Sequence, residues 1–380
     1  MAQHERCRMT GRQSIHPDAP AVIEARDLKT QFQGRTGIFS ALAGVKPPSA
    51  RALDGVDLRI REREIVGLVG ESGCGKSTLG MTLVRMYQPT AGQILYRDED
   101  ITKAEGRRLK AYRHSAQIIF QDPYSSLNPR LTIGQVIEEP LIIHGIGNAA
   151  ERREKVIRAL ELVRIPAGEN IDRYPSDLSG GQRQRVAIAR ALVLEPKFIV
   201  ADEPVSMLDV SIQASVLELL DELSRDLGLA VLYISHDIAT VGYICNHVAV
   251  MYLGRIVEEG RAEDILTRPL HPYTQRLMDA IPRMTPGDSP DRIELRGDVP
   301  SPMAVPPGCR FSSRCPFATA LCEAIEPALS DQTDGQRVRC HIYDDRASRA
   351  HPSLLAPKAG HITEVAEAGT LAEAVEGGRW

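Results

Sequence analysis

The chain has 380 residues, 43% of them hydrophobic, enough to bury a sizeable core, so a chain disordered throughout is not expected. Its formal net charge of -4 and pI near 6.2 lack the basic excess that a nucleic-acid footprint requires. Those figures leave open small charged ligands and protein partners.

Residues 1–20 have no apolar stretch behind their basic residues and read as a flexible leader, not a secretory signal or an anchor. From residue 21 onward, apolar runs of strand length recur at 65–69, 117–120, 198–201 and 231–234, and a polar or glycine-rich turn follows each. Alternation of such runs with helical stretches predicts an α/β core. Ligands of open α/β sheets bind beyond the carboxyl ends of the strands, so Gly70, Gln121, Asp202 and His236 are expected to meet at one edge.

Behind the first run stands Gly70-Glu-Ser-Gly-Cys-Gly-Lys76-Ser77, which fits the phosphate-loop pattern between a strand and a helix. Its glycines let backbone N–H groups wrap phosphates, Lys76 reaches the outer phosphates and the Ser77 hydroxyl holds Mg²⁺. Gly70, Ser72, Gly73, Cys74, Gly75 and Thr78 complete this candidate ATP-binding set.

Next comes a helical insertion, placed at about 122–195, in which Val156, Leu160 and Val163 share the spacing of one helix face. Within it, Leu178-Ser179-Gly180-Gly181-Gln182 opens a long helical pattern. Ser179 is a good N-cap, and the glycines leave N–H groups open for a second anion site. Beyond it, the run 198–203 ends in Asp202 and Glu203, two acids whose burial calls for a cation or hydrogen-bonding partner. Asp202 is read as a Mg²⁺ ligand and Glu203 as general base for an attacking water. Residues 238–254 lack Asp, Glu, Lys and Arg but fall short of the ~20 apolar residues of a spanning helix, and read as core. Other chains are then left to meet any membrane.

With two phosphate-binding elements in one chain, residues 22–261 resemble the ABC ATPases, whose signature is the pentapeptide 178–182. The resemblance implies two subunits packed head to tail, with Ser179, Gly180, Gly181 and Gln182 of one closing over nucleotide held by the phosphate loop of the other. It further implies that Gln121 touches the metal or attacking water and reports on the membrane partner, that His236 contacts the γ-phosphate, and that Asp209 contacts the opposing subunit. Met207 stands where alanine is more usual. Phe32 takes the place of an adenine-stacking aromatic, with Phe39 as its competitor.

Of seven cysteines, four cluster as Cys309-x5-Cys315-x6-Cys322-x17-Cys340 behind a Pro-rich stretch at 298–308. Without a secretory signal, a thiolate metal centre is a better reading than disulfides, and the set suits iron–sulfur or zinc. Pro269-Leu-His-Pro-Tyr-Thr274 and Pro-Pro-Gly-Cys309-Arg-Phe-Ser-Ser-Arg-Cys315-Pro then narrow the resemblance to oligopeptide and dipeptide importer ATPases. That family implies a [4Fe–4S] cluster on the four cysteines as a structural staple, with zinc the alternative. It also implies two permease subunits, a second ATPase subunit of related or identical sequence, an indirect link to a substrate-binding protein, and a place on the cytoplasmic face of the membrane. Peptide is the expected cargo, although the same family moves nickel complexes, glutathione and sugars. A soluble ABC protein acting on nucleic acid is the alternative from another class, but two cassettes, coiled-coil inserts or basic arms are not visible in this sequence. The expected organisation is thus leader 1–20, ATPase domain 21–262, cysteine-bearing extension 263–343 and disordered tail 344–380.

Overall fold

The computed structural model describes residues 19–33, 49–279, 300–332 and 335–344; Cys7, Phe39, nearly all of the leader and all of the tail beyond Asp344 lie outside them. Twelve strands are described: β1 (Ala21–Gln33), β2 (Ser49–Arg61), β3 (Ile65–Val69), β4 (Ala91–Tyr96), β5 (Glu99–Asp100), β6 (Ala116–Ile119), β7 (Phe198–Asp202), β8 (Ala230–Ser235), β9 (His247–Tyr252), β10 (Arg255–Arg261), β11 (Ser330–Asp331) and β12 (Arg337–Val338). They form an antiparallel sheet in the order β2-β1-β4-β5 and an eight-stranded sheet in the order β11-β12-β10-β9-β3-β8-β7-β6.

Within the larger sheet, β9, β3, β8, β7 and β6 run parallel, so their carboxyl ends share one edge. Both faces are covered, which is why these strands read as unbroken apolar runs. Successive side chains point to opposite faces, and the core divides accordingly. Ile65, Val69, Ile199, Ala201, Val231 and Tyr233 join one apolar cluster; Val66, Leu68, Phe198, Val200, Leu232 and Ile234 join the other.

The helices include α1 (Lys76–Leu83), α2 (Ile133–His144), α3 (Ala149–Leu162), α4 (Gly180–Leu192), α5 (Val210–Leu227), α6 (Ile238–Ile244) and α7 (Pro272–Asp279). The first cluster receives α2, α3, α4 and α5, and the second receives α1 with β1 and β2. Capping residues mark where the insertion helices start. Thr132 with Gln135, Asn148 with Glu151, and Ser179 with Gln182 form reciprocal capping boxes on α2, α3 and α4, each satisfying two backbone N–H groups that a helix start leaves open. Residues 238–254, apolar yet too short to span, fold as α6 followed by β9. No helix among the described residues is long and apolar enough to cross a membrane.

The C-terminal region is knitted into this sheet. Strand β12 pairs with β10 at Glu258–Val338 and Glu259–Arg337, and β11 pairs with β12.

Candidate functional site

The loop after β3 turns sharply. Gly75 has φ +111°, and a Cβ there would lie 2.4 Å from the Ala52 carbonyl, so glycine is the residue that both the left-handed backbone and the close approach permit. Lys76, buried at the start of α1, donates to the carbonyls of Gly70 at 2.6 Å and Glu71 at 3.0 Å. Its ammonium is thereby held inside the loop. Cys74 is buried, and burial raises its thiol pKa, so it serves here as a small apolar side chain. Ser72 and Gly73 form the crown of the loop, while Thr78 lies on α1, where its carbonyl accepts from the Thr82 hydroxyl at 2.7 Å.

Across from the loop, β7 ends in Asp202, which accepts from the Ser77 hydroxyl at 3.1 Å. Burial raises the Asp202 pKa, the Ser77 bond lowers it, the neighbouring Glu203 charge raises it and Lys76 lowers it. A carboxylate that burial disfavours, beside a hydroxyl oxygen, is a donor pair that fits a hard divalent cation such as Mg²⁺.

Glu203 follows with φ +47°, a strained conformation for a residue with a Cβ, fastened by its N–H to the Ile234 carbonyl at 2.9 Å. Its carboxylate is gripped from two sides. Gln121 Nε2 donates to Oε2 at 2.8 Å, and His236 Nδ1 lies 3.0 Å from Oε1. Gln121 leaves β6 and His236 leaves β8, so the edge of the parallel strands gathers Gly70, Gln121, Asp202, Glu203 and His236 from widely separated parts of the chain. The arrangement can place a metal, a polyphosphate and a base-activated water side by side.

The pentapeptide 178–182 lies elsewhere. Ser179 caps α4, and a Cβ on Gly181 would lie 2.5 Å from Ile212 of α5, so this helix start packs against the turn that carries Asp209. Its side-chain hydrogen bonds are internal to the capping box. Asp209 occupies the N-cap position of α5 without a side-chain capping bond, and with Met207 and Val210 it forms an exposed surface. Phe32 is 41% exposed at the end of β1, edge-on to Tyr87 at 5.2 Å; its competitor Phe39 lies outside the described residues.

The four clustered cysteines share one neighbourhood. The Cys309 N–H donates to the Cys322 carbonyl at 2.7 Å. Cys340 has its thiol pKa raised strongly, first by burial and further by Cys309, Cys315 and Cys322, and burial pushes that of Cys309 up to about 12. No disulfide joins the described cysteines. The thiols suit iron–sulfur or zinc in type, but no group of three or more His, Cys, Asp or Glu among the described residues is arranged to hold a metal ion. The expected four-thiolate centre is therefore present as a neighbourhood and not as a ligand set: Cys309 and Cys322 are joined through their backbones.

Sequence reasoning missed three residues at the phosphate loop. Arg314 makes a two-pronged ion pair with Glu71 at 2.8 and 3.1 Å, and the Tyr273 hydroxyl accepts from the Glu71 N–H at 2.7 Å. No local spacing links positions 71, 273 and 314; the only sequence signal was an arginine beside Cys315 and a tyrosine in the 269–274 motif.

A cleft of about 270 Å³ opens beside Gln121, lined among others by Val84, Phe120, Leu127, Ile143, Ala187 and Arg190. At its rim Ile143 is 61% exposed, as is its neighbour Ile142 at 57%.

Comparison with known proteins identifies the family. Residues 53–206 match the ABC transporter family and residues 257–322 match the C-terminal region of oligopeptide/dipeptide transporters. A Brucella ovis protein named for peptide import and ATP binding is 51% identical over 319 residues, covering 84% of this chain and 97% of its own. The dipeptide transport ATP-binding protein DppF of Escherichia coli is 45% identical over 323 residues, 85% of this chain and 95% of DppF. The oligopeptide transport ATP-binding protein AppF of Bacillus subtilis is 44% identical over 325 residues, 85% and 97%. Among solved structures, a dimeric ABC transporter cassette described as a post-hydrolysis state bound to ADP and Pi superposes with a TM-score of 0.55 at 28% identity, over 63% of this chain and 98% of that one. The cbiO1 subunit of Clostridium perfringens gives 0.56 at 28% identity, over 66% and 92%. The chain belongs to the ABC transporter ATP-binding proteins, in the group that carries the oligopeptide/dipeptide transporter C-terminal region.

Proposed function

We propose that this chain binds and hydrolyses MgATP to power the import of dipeptides or oligopeptides through partner permease chains. The observation that carries the reading is the convergence of Lys76, Ser77, Asp202, Glu203, Gln121 and His236 on one sheet edge, joined to a C-terminal region shared with peptide-transporter ATPases.

In this reading the phosphate loop cradles the β- and γ-phosphates, and Lys76 exchanges its loop carbonyls for phosphate oxygens. Ser77 and Asp202, with Gln121, hold Mg²⁺, which when bound offsets phosphate charge. Glu203, aimed by Gln121 and His236, takes the proton of the attacking water, and His236 contacts the γ-phosphate. Phe32 stacks on adenine. The second nucleotide contact comes from Ser179, Gly180, Gly181 and Gln182 of an opposing ATPase subunit, and the exposed Met207–Val210 surface with Asp209 faces that subunit.

The cleft beside Gln121 is proposed to receive a permease, since it is lined by Phe120, the residue before the glutamine that contacts Glu203, and Ile143 at its rim is exposed. The protein then works as a peripheral subunit at the cytoplasmic face of the membrane. Cys309, Cys315, Cys322 and Cys340 are proposed to draw together around a [4Fe–4S] cluster, or zinc, that staples the extension; their common neighbourhood and thiol chemistry support this.

Uptake of labelled di- and tripeptides into vesicles holding the permeases, the second ATPase subunit and this chain tests the reading. ATP-dependent uptake that disappears with Glu203→Gln is expected; uptake only of a nickel complex, glutathione or a sugar overturns the cargo. Iron, sulfide and zinc analysis of anaerobically purified protein tests the metal centre. About four irons and four sulfides per chain, lost in Cys315→Ser, are expected for the cluster.

A further inference from the structure

Glu71 is the only acid in the loop from Gly70 to Ser77, and it sits beside the N–H groups that would receive a polyphosphate. An uncompensated carboxylate there opposes anion binding. Here it is compensated from a distant part of the chain. Arg314 binds both Glu71 oxygens, and its own side chain is only 8% exposed.

Several contacts hold Arg314 in place. Its N–H and that of Cys315 both donate to the Phe311 carbonyl at 3.0 Å, and its guanidinium lies 5.9 Å from the ring centres of Tyr252 and Phe311. Tyr252, Tyr273 and Phe311 pack with centroids 4.7 to 5.5 Å apart. The Tyr273 hydroxyl of that cluster accepts the Glu71 N–H, and the Glu71 carbonyl in turn accepts from the Cys74 N–H at 3.3 Å, which fixes the backbone at the entrance of the loop.

We propose that Arg314 and Tyr273 are positioning residues for nucleotide binding: through Glu71 they set the charge and shape of the phosphate loop, so the cysteine-bearing region governs affinity for MgATP. Neither residue needs to touch nucleotide. A two-pronged arginine–carboxylate pair supplies both charge and geometry, and removing one partner leaves the other uncompensated.

The test is titration of the full chain with a fluorescent ATP analogue and Mg²⁺, together with steady-state ATPase kinetics of the assembled transporter. Arg314→Ala is expected to raise Kd about tenfold, and to raise KM for ATP with kcat held within about twofold, the signature of lost binding rather than lost chemistry. Adding Glu71→Gln to Arg314→Ala removes the stranded charge and is expected to restore most of the affinity, as no purely structural defect would be. Tyr273→Phe, one oxygen smaller, is expected to raise Kd by about threefold, the cost of one neutral hydrogen bond.

Parental Kd in Arg314→Ala overturns the inference, and so does a loss that Glu71→Gln leaves unrestored while the nucleotide-free melting temperature falls. If Arg314→Ala does not fold, Tyr273→Phe decides, and a parental Kd there overturns it. The inference rests on residues 70–78 being the nucleotide site, which Lys76→Ala checks in the same titration. Unchanged binding by Lys76→Ala sinks that reading, whereas a large loss with Lys76→Ala and none with Arg314→Ala sinks the present inference alone.

Discussion

Glu203→Gln isolates the chemical step because the surrounding geometry can survive it. The carboxylate now accepts from Gln121 Nε2 at 2.8 Å and faces His236 Nδ1 at 3.0 Å. A glutamine keeps one oxygen for Gln121 and can turn its amide N–H toward Nδ1, which accepts whenever the ring proton sits on Nε2. The backbone strain at φ +47° is unchanged, since both residues carry the same Cβ. What disappears is the base. General-base catalysis contributes about 100- to 10,000-fold, equivalent to roughly 2.7–5.5 kcal/mol of barrier. Single-turnover phosphate release should therefore slow by at least about 100-fold, with Kd for MgATP unchanged, and ATP-bound paired subunits should accumulate on size-exclusion chromatography. Phosphate release at the parental rate would refute the assignment of Glu203 as base. A weakening of MgATP binding as large as the rate loss would show that the carboxylate acts on the ground state instead.

Lys76→Ala removes the only side-chain cation inside the loop, and equilibrium titration should show Kd for MgATP raised by about 100-fold. Ile143→Asp places a charge on the rim of the cleft beside Gln121. Peptide uptake and transport-stimulated ATPase activity should fall severalfold, while nucleotide binding by the free chain stays parental. Buried Glu258 and His271 give opposite pH signatures. Burial raises the Glu258 pKa to about 7 and lowers that of His271 to about 3. Glu258 holds a proton in the folded chain that the unfolded chain has lost, so its contribution falls as pH rises from the ordinary carboxylate range through 7. His271 stays neutral while the unfolded chain gains a proton, so its contribution falls as pH drops below the ordinary imidazole range. The two oppose each other between about pH 4.5 and 6.5. Glu258→Gln removes one of the two opposing contributions, so its melting temperature should rise more steeply with pH across that window than the parent's.

Much of the nucleotide edge was legible because it is local. Residues 70–77 form a strand–loop–helix signal whose chemistry depends on spacing alone. Asp202, Gln121 and His236 each follow an apolar run, and parallel strands bring such ends together. Strand limits shifted by a residue: β6 is Ala116–Ile119 and β8 is Ala230–Ser235, because ladder pairing with β7, not hydropathy, sets where a strand begins. The grip of Gln121 and His236 on opposite oxygens of Glu203 was not legible, since it depends on the left-handed backbone at Glu203. Arg314, Tyr273 and Glu71 were invisible for a related reason. Contacts across more than 200 residues leave no periodic trace, and an arginine beside a cysteine reads as surface charge.

Those contacts change how the extension is understood. The matched C-terminal region starts at residue 257, inside β10, so it shares a strand with the sheet that carries the nucleotide edge. Strand β12 closes the edge that β10 would otherwise expose, and an open edge invites mispairing. Arg310, almost fully buried, pairs with Asp54 of β2 and donates to the Leu253 carbonyl, while Arg314 pairs with Glu71. Breaking a buried pair from one side typically costs about 3–5 kcal/mol, a large part of a domain's stability. The two arginines lie either side of Phe311, between Cys309 and Cys315, so both anchors are carried by the one cysteine-bearing turn. Such a segment acts as a brace for the motor, and the phosphate loop is the part of the motor it holds.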